Sequence, residues 1–173
     1  MTEARERTAL VLPMLEADDV LRGWREAHTR DGRAGMWAHV TLLYPFLEPR
    51  EVAVELESLH AHFGAVQPFS FSLTEVRRWP GGVLWLAPEP EASFRGLAEA
   101  VYARYPDRPP YGGAHADVVP HCTVADTDRS EVLDAAEADV CPRLPIAGTA
   151  REAWLVELVG GRWSVRARLP FAR

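Results

Sequence analysis

Apolar positions recur along this chain in two rhythms, one alternating and one helical. Residues 8–15 (TALVLPML) form an apolar run that predicts a first strand. Residues 16–28 follow with Val20, Leu21, Trp24 and Ala27 at helical spacing and acidic residues in the opening turn. A glycine-bearing loop (TRDGRAG) leads to residues 36–46 (MWAHVTLLYPF), a β-branched and aromatic run closed by Pro45 and Pro49. Residues 50–64 put Val52, Leu56, Leu59 and Phe63 on one side of a helix. Residues 69–76 (FSFSLTEV) alternate as a half-buried strand should, and Pro80-Gly81-Gly82 turns them into 83–88, so 69–88 reads as a hairpin. A helix over 92–105, with Phe94, Leu97, Val101 and Tyr102 as its stripe, precedes a Pro/Gly-rich loop at 106–118. The strand VVPHCTVAD (118–126), a helix over 130–140 and strands near 146–158 and 162–171 complete the chain.

Each half therefore reads strand, helix, strand, helix, strand. The expected class is α+β: one domain over 1–173, built as a bilobal pseudo-symmetric duplication. Two mostly antiparallel sheets would line a central cleft, with helices outside.

Composition narrows the chemistry. The formal charge of −6 argues against a surface that grips duplex DNA through many phosphates, so any phosphate recognition must be local. All 19 basic residues are Arg, which removes lysyl-nucleotide ligases, Schiff-base enzymes and Walker-type phosphate loops, each of which needs a lysine amine. Two cysteines make neither a disulfide framework nor a four-ligand zinc site. The apolar stretch 9–15 is too short for a signal peptide, contains Pro13 and runs into Glu16, Asp18 and Asp19. No apolar run approaches the roughly 20 residues that cross a bilayer. The expectation is a cytoplasmic, soluble protein, a monomer with no membrane partner.

The middle strand of each half holds the same phrase: His39-Val40-Thr41-Leu42 and, 82 residues later, His121-Cys122-Thr123-Val124. On a strand, residues i and i+2 share a face, so each imidazole travels with a hydroxyl while Val40 and Cys122 point into the core. If the halves pack pseudo-symmetrically, two His and two Thr converge across the cleft. Two imidazoles suit a reaction needing a general base and a general acid near neutral pH. Two hydroxyls suit the non-bridging oxygens of a phosphoryl group. No metal and no cofactor is required.

Paired H-x-T-[aliphatic] motifs in an α+β chain of this size resemble the two-histidine (2H) phosphoesterase superfamily, and within it the bacterial 2′-5′ RNA ligase-like (LigT-like) branch. HVTLLYPF at 39–46, PHCTV at 120–124 and the hairpin WPGGVLWLAP at 79–88 carry the resemblance. It implies hydrolysis of a cyclic phosphodiester, a 2′,3′-cyclic nucleotide or the 2′,3′-cyclic end of an RNA, to a 2′-phosphomonoester. It also implies that His121 is the base, His39 the acid, and that Thr41 and Thr123 bind phosphate. From the residues themselves the base and the acid are not distinguishable. One departure stands out: many members follow the second motif with Arg, where this chain has Ala125-Asp126.

Plainer readings apply elsewhere. His60 and His62 stand two apart on a helix and face different ways, which disfavours a metal pair. Cys122 reads as core, and Arg77, Arg78 and Arg151 as solvated surface. Trp37, Trp79 and Tyr111 are candidates for stacking on a base, and His115 for closing over a ligand. Tyr44 is expected on the face opposite the histidine pair, since 39, 41 and 43 share one. The alternatives are 2′-5′ RNA ligation or its reverse, a non-catalytic nucleotide sensor, and a protein-interaction module that keeps only the fold.

Overall fold

The computed structural model describes residues 7–114 and 117–173; His115 lies outside them. In chain order the elements are β1 (Arg7–Pro13), α1 (Leu15–His28), the short α2 (Arg30–Arg33), β2 (His39–Leu43) and α3 (Val52–Gly64). Then come β3 (Phe69–Trp79), β4 (Val83–Glu89), α4 (Glu91–Arg104), β5 (Cys122–Asp126) and α5 (Ser130–Val140). The chain ends in β6 (Ile146–Ala150), β7 (Glu152–Val159) and β8 (Arg162–Pro170).

Two four-stranded sheets result, ordered β2-β1-β7-β8 and β5-β4-β3-β6, with antiparallel pairing throughout. The α+β class and the two antiparallel sheets agree with the sequence reading. The allocation of strands does not follow the halves of the chain. The hairpin β3–β4, from the first half, sits in the second sheet; β7 and β8, from the end, complete the first. The run 146–158 is accordingly two strands, parted at Arg151, whose carbonyl accepts from the Phe171 amide. Periodicity says where a strand faces but not which edge it pairs with, so this exchange is invisible in the letters.

Apolar residues of both sheets join one main core, while Ala9 and Val11 of β1 pack with Met36, Trp154 and Val156 in a smaller second cluster. Leu10 and Leu12 of β1, Leu84 and Leu86 of β4, Leu155 of β7 and Phe63 of α3 are all buried within it. The two motif strands are the edge strands β2 and β5. Each carries one extra residue just after its threonine. Val11 pairs with Thr41 and Leu10 with Leu43, leaving Leu42 unmatched; Trp85 pairs with Thr123 and Leu84 with Ala125, leaving Val124 unmatched. A β-bulge of this kind shifts the side-chain phase by one residue. Consecutive residues, Leu42-Leu43 and Val124-Ala125, are then all buried. The bulge also reverses the expected orientation of Tyr44, which comes round to the face of His39 and Thr41 and lines the cleft with them.

Candidate active site

His39, Thr41, His121 and Thr123 line a single cleft of about 540 Å³. His39 opens β2 and His121 directly precedes β5. The two imidazoles are oriented by the same device. Nδ1 of His39 is 2.7 Å from the Trp37 carbonyl, and Nδ1 of His121 is 2.7 Å from the Val119 carbonyl, each two residues back. A carbonyl only accepts, so Nδ1 carries the proton in both rings and the lone pair is on Nε2.

The surroundings of the two rings differ. His121 packs edge-on against Trp79, ring centroids 4.6 Å apart, with Trp85 at 6.1 Å. His39 faces charge. Its Nε2 lies 3.8 Å from an Asp31 carboxylate oxygen, and that same oxygen accepts from Arg25 Nη2 at 3.3 Å. The Arg25 side chain is 1% exposed, and its Nη1 donates to the Thr123 carbonyl at 2.6 Å. One guanidinium thus joins α1, the carboxylate beside His39 and the backbone of the second motif. Burial pushes the His39 imidazole down to about 4, and the Arg25 charge pushes the same way; Asp31 opposes both. The Asp31 carboxyl is held below its ordinary value despite burial, by His39 and Arg25.

Local sequence explains the placement of Asp31. Thr29 ends α1 and caps α2, its hydroxyl accepting from the Gly32 amide at 2.9 Å. Gly32 is packed so closely that a Cβ there would sit 2.3 Å from the Arg25 carbonyl oxygen. Asp18, buried in α1, accepts from the Ala38 amide at 2.9 Å and fixes the approach to β2.

The other expected residues fall in three places. The Tyr111 ring is in the cleft wall and its hydroxyl is hydrogen-bonded with that of Thr41; burial raises the phenol. Its amide donates to the Tyr44 carbonyl at 2.6 Å, which fastens residues 110–113 to the end of β2. Trp79 buttresses His121 and is not among the residues that line the cleft. The Trp37 ring packs against Trp154 at 5.3 Å, outside the cleft, and Trp37 reaches the site only through its carbonyl. Cys122 is fully buried, and burial pushes its thiol up to about 11. The sequence reading missed Arg25, Asp31, Arg7, Arg30, Arg33 and Trp163. All but Arg25 line the cleft; Arg25 reaches it from beneath. The only sequence signal is the run of charges in 30–33, a stretch whose glycines read as loop. Among the described residues no group of three or more His, Cys, Asp or Glu is placed to hold a metal ion, and no helix is long and apolar enough to cross a membrane.

A model of the 2′-5′ RNA ligase superfamily matches residues 13–162. The chain belongs to that superfamily. Solved structures agree on the fold of this 2′-5′ RNA ligase superfamily member. E. coli LigT complexed with 3′-AMP superposes with a TM-score of 0.65 at 15% identity, covering 97% of this chain and 99% of that one. LigT complexed with NADP+ gives 0.60 at 19% identity, covering 97% and 99%. TT0787 of Thermus thermophilus gives 0.62 at 21% identity, covering 95% and 97%. No curated protein matches.

Proposed function

We propose that this superfamily member is a phosphodiesterase that opens a 2′,3′-cyclic phosphate, on a nucleotide or at an RNA end, to a 2′-phosphomonoester. The observation that carries the reading is the equivalence of the two imidazoles. Each has its Nδ1 proton held by the carbonyl two residues back, and each shares one cleft with a threonine hydroxyl. Water attacks phosphorus and gives its proton to one Nε2. The P–O3′ bond breaks, and the ribose O3′ takes a proton from the other. Thr41 and Thr123 donate to the non-bridging oxygens as charge develops. That LigT is described in complexes with 3′-AMP and with NADP+ supports a nucleotide in this cleft.

We read the roles as the reverse of those that the resemblance implied. Burial and the Arg25 charge push the His39 imidazole down to about 4, which favours its neutral form at neutral pH. In hydrolysis it is the base that receives the proton of water, with Asp31 3.8 Å away to stabilise the imidazolium formed. His121 then protonates the leaving oxygen.

The test is turnover of the four nucleoside 2′,3′-cyclic phosphates in excess EDTA, with 2′- and 3′-monophosphates separated. Wild type, His39→Ala and His121→Ala run side by side. A 2′-product lost by at least a hundredfold in both variants is expected. Near-normal activity in either variant overturns the assignment. Nucleotide binding without turnover replaces it with a sensor. If cyclic nucleotides neither react nor bind, 2′-5′-linked oligomers become the substrates to try.

A further inference from the structure

The cleft holds more positive charge than one phosphate needs. Ten arginines pair with carboxylates across the fold. Among the described arginines without a carboxylate in ion-pair distance, Arg7, Arg30 and Arg33 are the three that line the cleft, Arg33 also donating to the Ala27 carbonyl at 3.0 Å. The acid that shares the cleft with them, Asp31, is engaged by Arg25 and His39. In a chain of net charge −6, leaving three guanidiniums unneutralised on one concave surface marks an anion site.

Strand geometry sets its distance from the scissile centre. Val11, Ala9 and Arg7 alternate along β1 and all face the cleft, forming its floor. Val11 lies opposite Thr41. Arg7, four residues further, is about 13 Å along the strand from Val11. Its guanidinium is held there by the Tyr44 hydroxyl, 2.8 Å from Nη1. Arg7 pairs with Leu158, Leu158 with Trp163, and the Trp163 amide donates to the Ala34 carbonyl just past Arg33. Arg7 and Arg33 therefore flank one end of the cleft, with Arg30 on the same short helix as Arg33. Between them lie two aromatic rings, Tyr44 and Trp163, with centroids 6.3 Å apart. Aromatic faces framed by guanidiniums are the surroundings that a nucleobase and its phosphate require.

We infer that this end of the cleft, framed by Arg7, Arg30 and Arg33, binds a second phosphate on the 5′ side of the nucleotide whose cyclic phosphodiester meets the histidines. The inference rests on the phosphodiesterase reading and names its substrate class: nucleotides that carry a 5′-phosphate or 5′-phosphodiester, in preference to nucleoside cyclic phosphates. The same chemistry comes from a free 5′-phosphorylated nucleotide or from the penultimate linkage of an RNA end.

The experiment compares kcat/KM for a nucleoside 2′,3′-cyclic phosphate, its 5′-phosphorylated form and a dinucleotide ending in the same cyclic phosphate. In wild type the 5′-phosphate is expected to raise kcat/KM at least tenfold at low ionic strength, with the advantage shrinking as salt is added. In Arg7→Gln, and separately in the double variant Arg30→Gln/Arg33→Gln, the advantage falls at least fivefold. A dinucleotide that matches the 5′-phosphorylated form points to RNA ends; one that does not points to free nucleotides. No advantage in wild type, or one untouched in both variants, overturns the inference. If no cyclic phosphate is turned over, the phosphodiesterase reading fails and the subsite is read by calorimetry instead. A nucleoside 2′,5′-bisphosphate must then bind wild type at least tenfold more tightly than the 2′-monophosphate and lose that margin in the variants. Equal affinities overturn it.

Discussion

His39 is a histidine whose chemistry is set by a residue fourteen positions earlier. The Arg25 guanidinium is buried, joins Asp31 to the Thr123 carbonyl, and adds to burial in keeping the imidazole neutral. Two expected outcomes follow at this scale. Because the free-protein base sits at about 4, kcat/KM should remain flat as pH falls from 7 to about 5. An acid limb already developed between pH 7 and about 5 would return the base role to His121. The same shift acts on stability. The unfolded imidazole binds a proton near 6.5 and the folded one only near 4, so between those values the unfolded state holds more protons. The contribution is fully present above about pH 6.5 and disappears as pH falls to 4, a loss of roughly 3 kcal/mol. Urea midpoints at pH 7, 5.5 and 4 should show this extra slope in wild type and not in His39→Gln; parallel pH curves for the two proteins would refute it. Arg25→Met should raise the His39 midpoint in an NMR titration, since it removes a cation and frees the Asp31 carboxylate. It should also destabilise by about 1–3 kcal/mol, because the Thr123 carbonyl loses its charged donor.

At the scale of elements, the site depends on two bulged edge strands and one tight helical turn. Gly32 makes that turn possible, since its missing Cβ leaves room for the Arg25 carbonyl. Gly32→Ala forces α2 away from α1 and should cost about 1–3 kcal/mol, with kcat falling as Asp31 leaves His39. Gly23→Ala, in the exposed middle of α1 with nothing near its Cβ, should instead stabilise by about 1 kcal/mol. Denaturant melts of the two variants moving in the same direction would contradict this account. The elements show what the letters held. The helices at 16–28 and 92–105 and the hairpin at 69–88 were legible from their periodicity, although Ala27 and Tyr102 of the expected stripes are exposed. The paired His-x-Thr phrases were legible because the chemistry repeats in both motif strands. Tyr44 was misplaced because strict alternation was carried through Leu42, where the bulge breaks it. The adjacent apolar pairs Leu42-Leu43 and Val124-Ala125 were the available sign. Arg25 and Asp31 were not legible, since a charged residue on a helix reads as solvent-facing until a second element is known to cover it.

For the molecule as a whole, the exchange of strands between chain halves has a thermodynamic consequence. The first sheet takes β1 and β2 from one end of the chain and β7 and β8 from the other, while the second is formed from the middle. The first sheet therefore cannot close until the chain between its parts has folded back. α1 spans the two sheets, with Trp24 Nε1 donating to Asp139 of α5 at 2.8 Å and Arg25 reaching Thr123 at the edge of the second sheet. Buried residues of both sheets belong to one main apolar cluster. Continuous packing of this kind couples the parts, so unfolding should be a single cooperative transition. Leu84→Ala in β4 and Leu155→Ala in β7 probe opposite sheets, each side chain being fully buried. Each should lower stability by about 2–5 kcal/mol. Each should also move the tryptophan-fluorescence and far-ultraviolet dichroism curves together by the same amount. Two resolved transitions, with each substitution moving only the one belonging to its own sheet, would mean that the lobes are separate folding units. The cleft would then be an interface between them, free to open without unfolding either. A single transition means that the distance between His39 and His121 is set by the core itself, and that any substitution opening the cleft must also destabilise the fold.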